Sequence, residues 1–230
     1  MTDFDAQRES MVERQLRRRG IEDERVLAAI AAVPRELFVP ELERRRAYAD
    51  SALPIGHGQT ISQPWIVAAI CQALELAGGE RVLEIGTGSG YSAAVLARLA
   101  AEVVTIERIA ELAEDARRAL RELGVSNVEV VVSDGSSGYP ERAPYEGIAV
   151  HATAPGAPAS LIEQLAMGGR VVLPIAADGA DMLTQFTRVD EHVDASTGRG
   201  LERRALGACR FVPLIGREGF EERGVGRWRL

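Results

Sequence analysis

The chain has 230 residues, a formal net charge of -7 and 27 residues in the Lys+Arg class, every one of them Arg. The missing Lys excludes side-chain Schiff bases, a P-loop Gly-Lys-Ser/Thr and the strand lysine of protein kinases. A hydrophobic share of 46% and a charged share of 27% describe an ordinary globular protein, and the acidic balance gives no support to nucleic-acid binding.

Helical spacing runs over 5–19, with Met11, Val12, Gln15 and Leu16 on one side, and over 22–32, with Val26, Leu27 and Ile30. The basic runs Arg17 to Arg19 and Arg44 to Arg46 are crowded by acids and read as solvated faces. After Pro34 and Pro40, residues 47–63 are rich in Gly, Pro, Ser and Thr and read as an ordered loop. A helix over 65–76 follows and ends at Gly78-Gly79. From residue 80 strands alternate with helices: strand 81–86, helix 92–100, strand 102–107, helix 110–123 closed by Gly124, strand 128–132. Further strands are expected at 147–152, 170–176, 182–189 and 208–214. This alternation predicts an α/β fold with a doubly wound, mainly parallel sheet. The last two strands, with no helix between them, predict an antiparallel edge. The whole of 1–230 reads as a single domain, with N-terminal helices and a loop over 1–76 and the α/β core over 77–230.

Two cysteines, Cys71 and Cys209, and three scattered histidines, His57, His151 and His192, show no metal-ligand spacing, so no metal is expected. Cys71 lies in an apolar run and reads as a buried reduced thiol. The first ten residues are acidic and polar, without a signal-peptide core. The longest apolar stretch, near 65–71, is too short to span a bilayer. The expectation is a cytoplasmic protein with no membrane contact.

The first core strand ends in Glu84-Ile85-Gly86-Thr87-Gly88-Ser89-Gly90. Glycines here allow a tight turn and direct contact between ligand and backbone. The dinucleotide pattern G-x-G-x-x-G needs Gly at 91 or 93, and those positions hold Tyr91 and Ala93, which disfavours NAD and FAD. An acid followed by G-x-G-x-G is the pattern of S-adenosylmethionine (SAM) methyltransferases, whereas a purely structural Gly turn is the bland reading. Glu107, at the end of the second core strand, stands where an acid accepts both ribose hydroxyls of a nucleotide. Asp134-Gly135 follows the third core strand, where Asp134 could meet an adenine amino group.

At this point the sequence resembles the protein-L-isoaspartate O-methyltransferase family over about Met11 to Phe220. The carrying stretches are MVERQLRRRGI, VPRELFVP, AYADSALPIGHGQTISQP, RVLEIGTGSGYSAAVLA, VVTIER, SDGSSGYPERAPYEGIAVHATAP, QLAMGGRVVLPI and FVPLIGREGF. GQTISQP is the most diagnostic, because it lies outside a generic SAM fold. The resemblance implies a Rossmann-like SAM methyltransferase fold with a seven-stranded sheet. It implies methyl transfer to the free α-carboxylate of L-isoaspartyl residues in damaged proteins or peptides, S-adenosylhomocysteine as product, and repair through a succinimide. It makes Ser62 the active-site Ser, with Thr60 and Ile61 beside it. Pro64, Trp65, Val67, Glu84, Gly86, Thr87, Gly88, Ser89, Gly90, Glu107, Arg108, Asp134 and Gly135 become the cofactor set. Val212, Pro213 and Leu214 become the segment whose backbone holds the peptide. A monomer is the family default. Departures are Ser133 before Asp134, Glu146 with Gly147, Phe220 after Gly219, and His151 where the family's VTAAAP reads VHATAP. The alternative is a carboxylate methyltransferase of the same fold acting on another substrate, such as a modified peptide.

An α-carboxylate is already ionised at pH 7, so this reaction needs no general base. His151 therefore reads either as a packed His at the sheet edge or as a lining residue of the substrate site. Trp65 and Tyr91 read either as cofactor covers or as core.

Overall fold

The computed structural model describes residues 3–222. From residue 81 onward the chain builds one seven-stranded sheet in the order β5-β4-β3-β6-β7-β8-β9. Its members are β3 (Arg81–Ile85), β4 (Glu102–Glu107), β5 (Val128–Val132), β6 (Tyr145–Val150), β7 (Leu165–Ile175), β8 (Asp181–Arg188) and β9 (Leu201–Cys209). β3 to β7 run parallel, and β8 and β9 are antiparallel, as the missing last helix predicts.

The central strands read as continuous apolar runs because both of their faces are covered. Val82, Val103, Ala149 and Val172 face one core, shared with the N-terminal segment. Leu83, Val104, Ile148 and Val171 face the second core on the opposite side. The one-residue alternation between the two sets is the strand period itself. The first five helices are α1 (Phe4–Met11), α2 (Glu24–Ala32), α3 (Pro64–Leu74), α4 (Tyr91–Leu96) and α5 (Ala110–Glu122). Asp23 caps α2 by accepting from the Arg25 and Val26 amides. In α5, Leu112, Ala113, Ala116 and Leu120 form the buried stripe.

Several local features depart from the sequence reading. The helix predicted over 5–19 is α1, then a π-helical turn Val12–Leu16, then a 3-10 turn Arg17–Arg19 ended by left-handed Gly20. α3 stops at Glu75, itself left-handed, ahead of Gly78. The loop 47–63 contains a hairpin, β1 (Leu53–Gly56) with β2 (Gln59–Ile61), whose turn places His57 and Gly58 at positive φ. Strands of three or four residues carry too little periodicity to be recognised. The strand expected at 208–214 is instead β9 at Leu201–Cys209, followed by an extended segment. β9 is an edge strand, and its Glu202, Arg203 and Arg204 are exposed, so it lacks an apolar signature. A short helix, α6 (Ala159–Glu163), also precedes β7.

The basic runs are solvated, as expected. Arg17 pairs with Glu13 and Glu24, Arg19 with Asp50, and Arg46 with Glu43. The Arg-rich tail lies, from residue 223, outside the described residues.

Gly135 follows β5 and packs on the core of β3. A Cβ there would stand 2.5 Å from Ile85 Cγ2, and Ile85 is itself buried. Gly135→Ala is expected to lower stability by about 1–3 kcal/mol through overpacking, read as a lower urea midpoint with unchanged slope. An unchanged midpoint would contradict this packing.

Candidate active site

The carboxyl ends of β3, β4 and β6 open on a cleft of about 810 Å3, its mouth included. This is where an open α/β sheet binds ligands. Two added pieces close it: β2 with Ser62 on one side, and the segment 212–215 on the other.

The floor is the loop between β3 and α4. Gly86 and Gly90 take φ of 91° and 88°, which L side chains rarely adopt. A Cβ on Gly90 would press on Ala116 of α5 at 3.1 Å, and one on Gly86 would meet His151 Cβ at 3.5 Å. The Gly88 amide donates to Glu107 Oε2 at 2.9 Å, and the Ile109 amide donates to Oε1 at 3.0 Å. Glu107 thus ties the glycine loop to the end of β4 while still facing the cleft.

Beneath the loop lies a buried hydroxyl relay. Thr105 Oγ1 donates to Glu84 Oε2 at 2.6 Å. A hydroxyl has one proton, so the 2.6 Å contact between Thr87 and Thr105 is a donation from Thr87. Glu84 and Thr105 are cross-strand partners, which fixes this geometry. Glu84 Oε1 has no hydrogen bond and stands 3.4 Å from His151 Nε2, which also contacts Ser92 Oγ at 2.8 Å.

Most residues singled out in the sequence line the cleft: Thr60, Ile61, Ser62, Val67, Gly86, Thr87, Gly88, Ser89, Glu107, Arg108, Gly135, Val212, Pro213 and Leu214. Five stand outside its wall. Pro64 begins α3 and is buried. Trp65 turns to the N-terminal segment, its indole N–H donating to the Arg19 carbonyl at 3.2 Å and its ring under the Arg19 guanidinium. Glu84 is buried under the loop, and Gly90 is covered by α5. The Asp134 carboxylate accepts from the Ser136 amide and hydroxyl and from the Arg217 amide at 2.8–2.9 Å. Burial raises its pKa, but these hydrogen bonds outweigh burial and hold it below the ordinary Asp value.

Sequence reasoning did not select Gln59, Ile85, Ser92, Ile106, Ala152 and Ile215, all on the wall. Most are apolar or small, with no chemical signature of their own. Tyr91 and His151, left open between two readings, both line the cleft.

The 212–215 segment is held by Thr153. Its amide donates to Val212 O at 2.8 Å, and the Leu214 amide donates to its carbonyl at 2.7 Å. Leu214 O accepts from the Phe220 amide. The Val212 N–H and Pro213 C=O keep no internal partner among the described residues.

The sequence profile of the protein-L-isoaspartate(D-aspartate) O-methyltransferases matches residues 6–219. The chain belongs to this family. Protein-L-isoaspartate O-methyltransferase 1 of Rhodopseudomonas palustris is 56% identical over 220 residues, 95% of this chain and 87% of that one. A solved protein-L-isoaspartate O-methyltransferase superposes with a TM-score of 0.79 at 32% identity, covering 92% of this chain and 67% of that one. A Plasmodium falciparum structure described as this enzyme, in complex with S-adenosyl-L-homocysteine, gives 0.75 at 24% identity over 90% and 98%. The fold is therefore that of SAM-dependent methyltransferases, and SAM is the cofactor of the family.

The cleft fits SAM on its own chemistry. Its floor runs through positive φ at Gly86, Gly88 and Gly90, where L side chains are disfavoured, and the Glu107 carboxylate presents acceptor lone pairs at the cleft wall. Glu107→Ala is expected to weaken SAM binding by at least roughly 10-fold, because it removes a carboxylate that faces the cleft and frees the Gly88 and Ile109 amides together. Calorimetric titration of SAM measures this, and an unchanged Kd would rule it out.

Proposed function

We propose that this chain transfers the methyl group of SAM to the free α-carboxylate of L-isoaspartyl residues in damaged proteins, with Ser62 orienting that carboxylate. The observation that carries the reading is the union, in one cleft, of the glycine floor with Ser62 on one lip and Val212–Leu214 on the other. SAM supplies an already activated methyl on a sulfonium. The chain therefore needs to position an oxygen in line with that methyl and to exclude water.

Ser62 suits this task. Its hydroxyl makes no hydrogen bond within the described residues and is available to a ligand. Its backbone carbonyl accepts from Arg35 Nη2 at 2.7 Å, which fixes the residue. A neutral donor aligns a carboxylate while withdrawing less of its charge than a bidentate Arg would. The free Val212 N–H and Pro213 C=O offer an extended peptide one donor and one acceptor, the usual terms of strand addition. His151 has no proton to remove, since the nucleophile arrives ionised.

The acidic net charge of -7 disfavours a nucleic-acid partner, and among the described residues no cluster of His, Cys, Asp and Glu could hold a metal ion. Among the described residues no helix is long and apolar enough to cross a membrane. Both cysteines are free, with Cys71 buried, as suits a reducing compartment. We place the protein in the cytoplasm as a monomer, a single domain whose N-terminal helices share the sheet's core.

The test is tritiated-methyl transfer to an isoaspartyl peptide beside its aspartyl twin. Methylation of the first alone is expected; equal labelling, or labelling of neither, favours a carboxylate methyltransferase with a different substrate. Ser62→Ala is expected to lower kcat by roughly 100-fold or less with SAM affinity intact, since alignment rather than proton transfer is lost. A collapse of SAM binding in that variant would contradict the role.

A further inference from the structure

Arg35 is fully buried, on a 3-10 turn (Arg35–Phe38) behind the cleft wall. Its Nε donates to the Ala47 carbonyl at 2.8 Å, and its Nη2 donates to the Ser62 carbonyl at 2.7 Å. Nη1 makes no hydrogen bond of normal geometry, and the neighbouring Tyr91 hydroxyl, likewise unpaired, adds only a weak polar contact. The guanidinium lies 4.7 Å from the ring centre of Tyr91, which lines the cleft. Among the described residues no carboxylate lies within ion-pair distance of it. Burial lowers its pKa to about 10, which still leaves it cationic at neutral pH.

A buried cation without an anion is costly, and native structures pair such charges. Two carbonyls and one aromatic face compensate only in part. The missing anion has an evident place, because the residue gripped by Arg35 is the one that faces the substrate carboxylate. We propose that Arg35 is the buried counter-charge for that carboxylate and the positioning residue of Ser62. This rests on the functional reading above and adds the source of its selectivity for an anionic group. A cation set one residue behind the donor attracts the carboxylate through a low-dielectric wall. It does so without a direct hydrogen bond that would blunt the nucleophile.

The alternative role for Arg35 is purely structural, joining residue 47 to residue 62. Structure alone would not discriminate between a carboxylate and a neutral amide in the substrate position. The test compares the isoaspartyl peptide with the same peptide carrying an α-carboxamide, by competition binding in the presence of S-adenosylhomocysteine. It uses the wild type, Arg35→Lys and Arg35→Gln. The wild type is expected to prefer the carboxylate by roughly 10-fold or more, and Arg35→Lys to keep most of that preference. Arg35→Gln is expected to lose it, with KM for the isoaspartyl peptide raised by a similar factor and SAM affinity unchanged. Equal binding of both peptides to the wild type overturns the proposal without any variant, so it stays testable if Arg35→Gln does not fold. Undiminished preference in Arg35→Gln overturns it as well. Failure of the wild type to methylate the isoaspartyl peptide at all is the separate outcome that removes the functional reading itself.

Discussion

The buried carboxylate of Glu107 is the anchor on which the site depends. It accepts the amides of Gly88 and Ile109 at once, so the glycine loop after β3 and the start of α5 hang from the end of β4. α5 returns the constraint by packing Ala116 against Gly90. A loop held at both ends by neighbouring elements keeps one shape, and a preorganised loop loses little entropy when a ligand arrives. The same carboxylate faces the cleft. Holding the loop and facing the cleft are therefore one arrangement.

Around this core the specific parts are attached by short backbone pairings, Thr153 with Pro213 on one lip and β1 with β2 on the other, and by polar ties. Asp134, just beyond β5, accepts the Arg217 amide, and Ser136 Oγ accepts the Glu218 amide at 3.0 Å. The Glu218 carboxylate in turn accepts the Ser160 amide at the start of α6. A Cβ on Gly216 would fall 2.0 Å from Asp134 Oδ1, so glycine is what permits the approach. These contacts lock the turn that follows the 212–215 segment. On the opposite lip, Arg35 and the hairpin hold Ser62. The cleft lies between two independently fastened lips on a common floor, and its width follows from how each is fastened.

Much of this was legible in the sequence. Continuous apolar runs over 81–86, 102–107 and 128–132 announce strands covered on both faces, and the structure places them within a residue of those bounds. Three glycines after the first of them, and an acid at the end of the next, announce a nucleotide-type floor. These are local properties: propensity, period and the φ angles only glycine adopts freely.

Other features were decided by tertiary structure alone. Glu84 and Asp134 carry the residue types of a binding motif, yet one is consumed by Thr105 beneath the loop and the other by the C-terminal segment. Trp65 adjoins the site in sequence and packs away from it, because the helix that Pro64 opens turns that position toward Arg19. The hairpin and β9 escape notice because short or edge strands bury too little to show a pattern. Arg35 is the clearest case. In sequence it is one of 27 identical charges, and only burial without a carboxylate distinguishes it. The sequence determined which elements form and where the glycine floor lies, because those follow from neighbours along the chain. Which polar groups face the ligand, and which are spent holding the lips apart, depended on contacts between residues far apart in sequence.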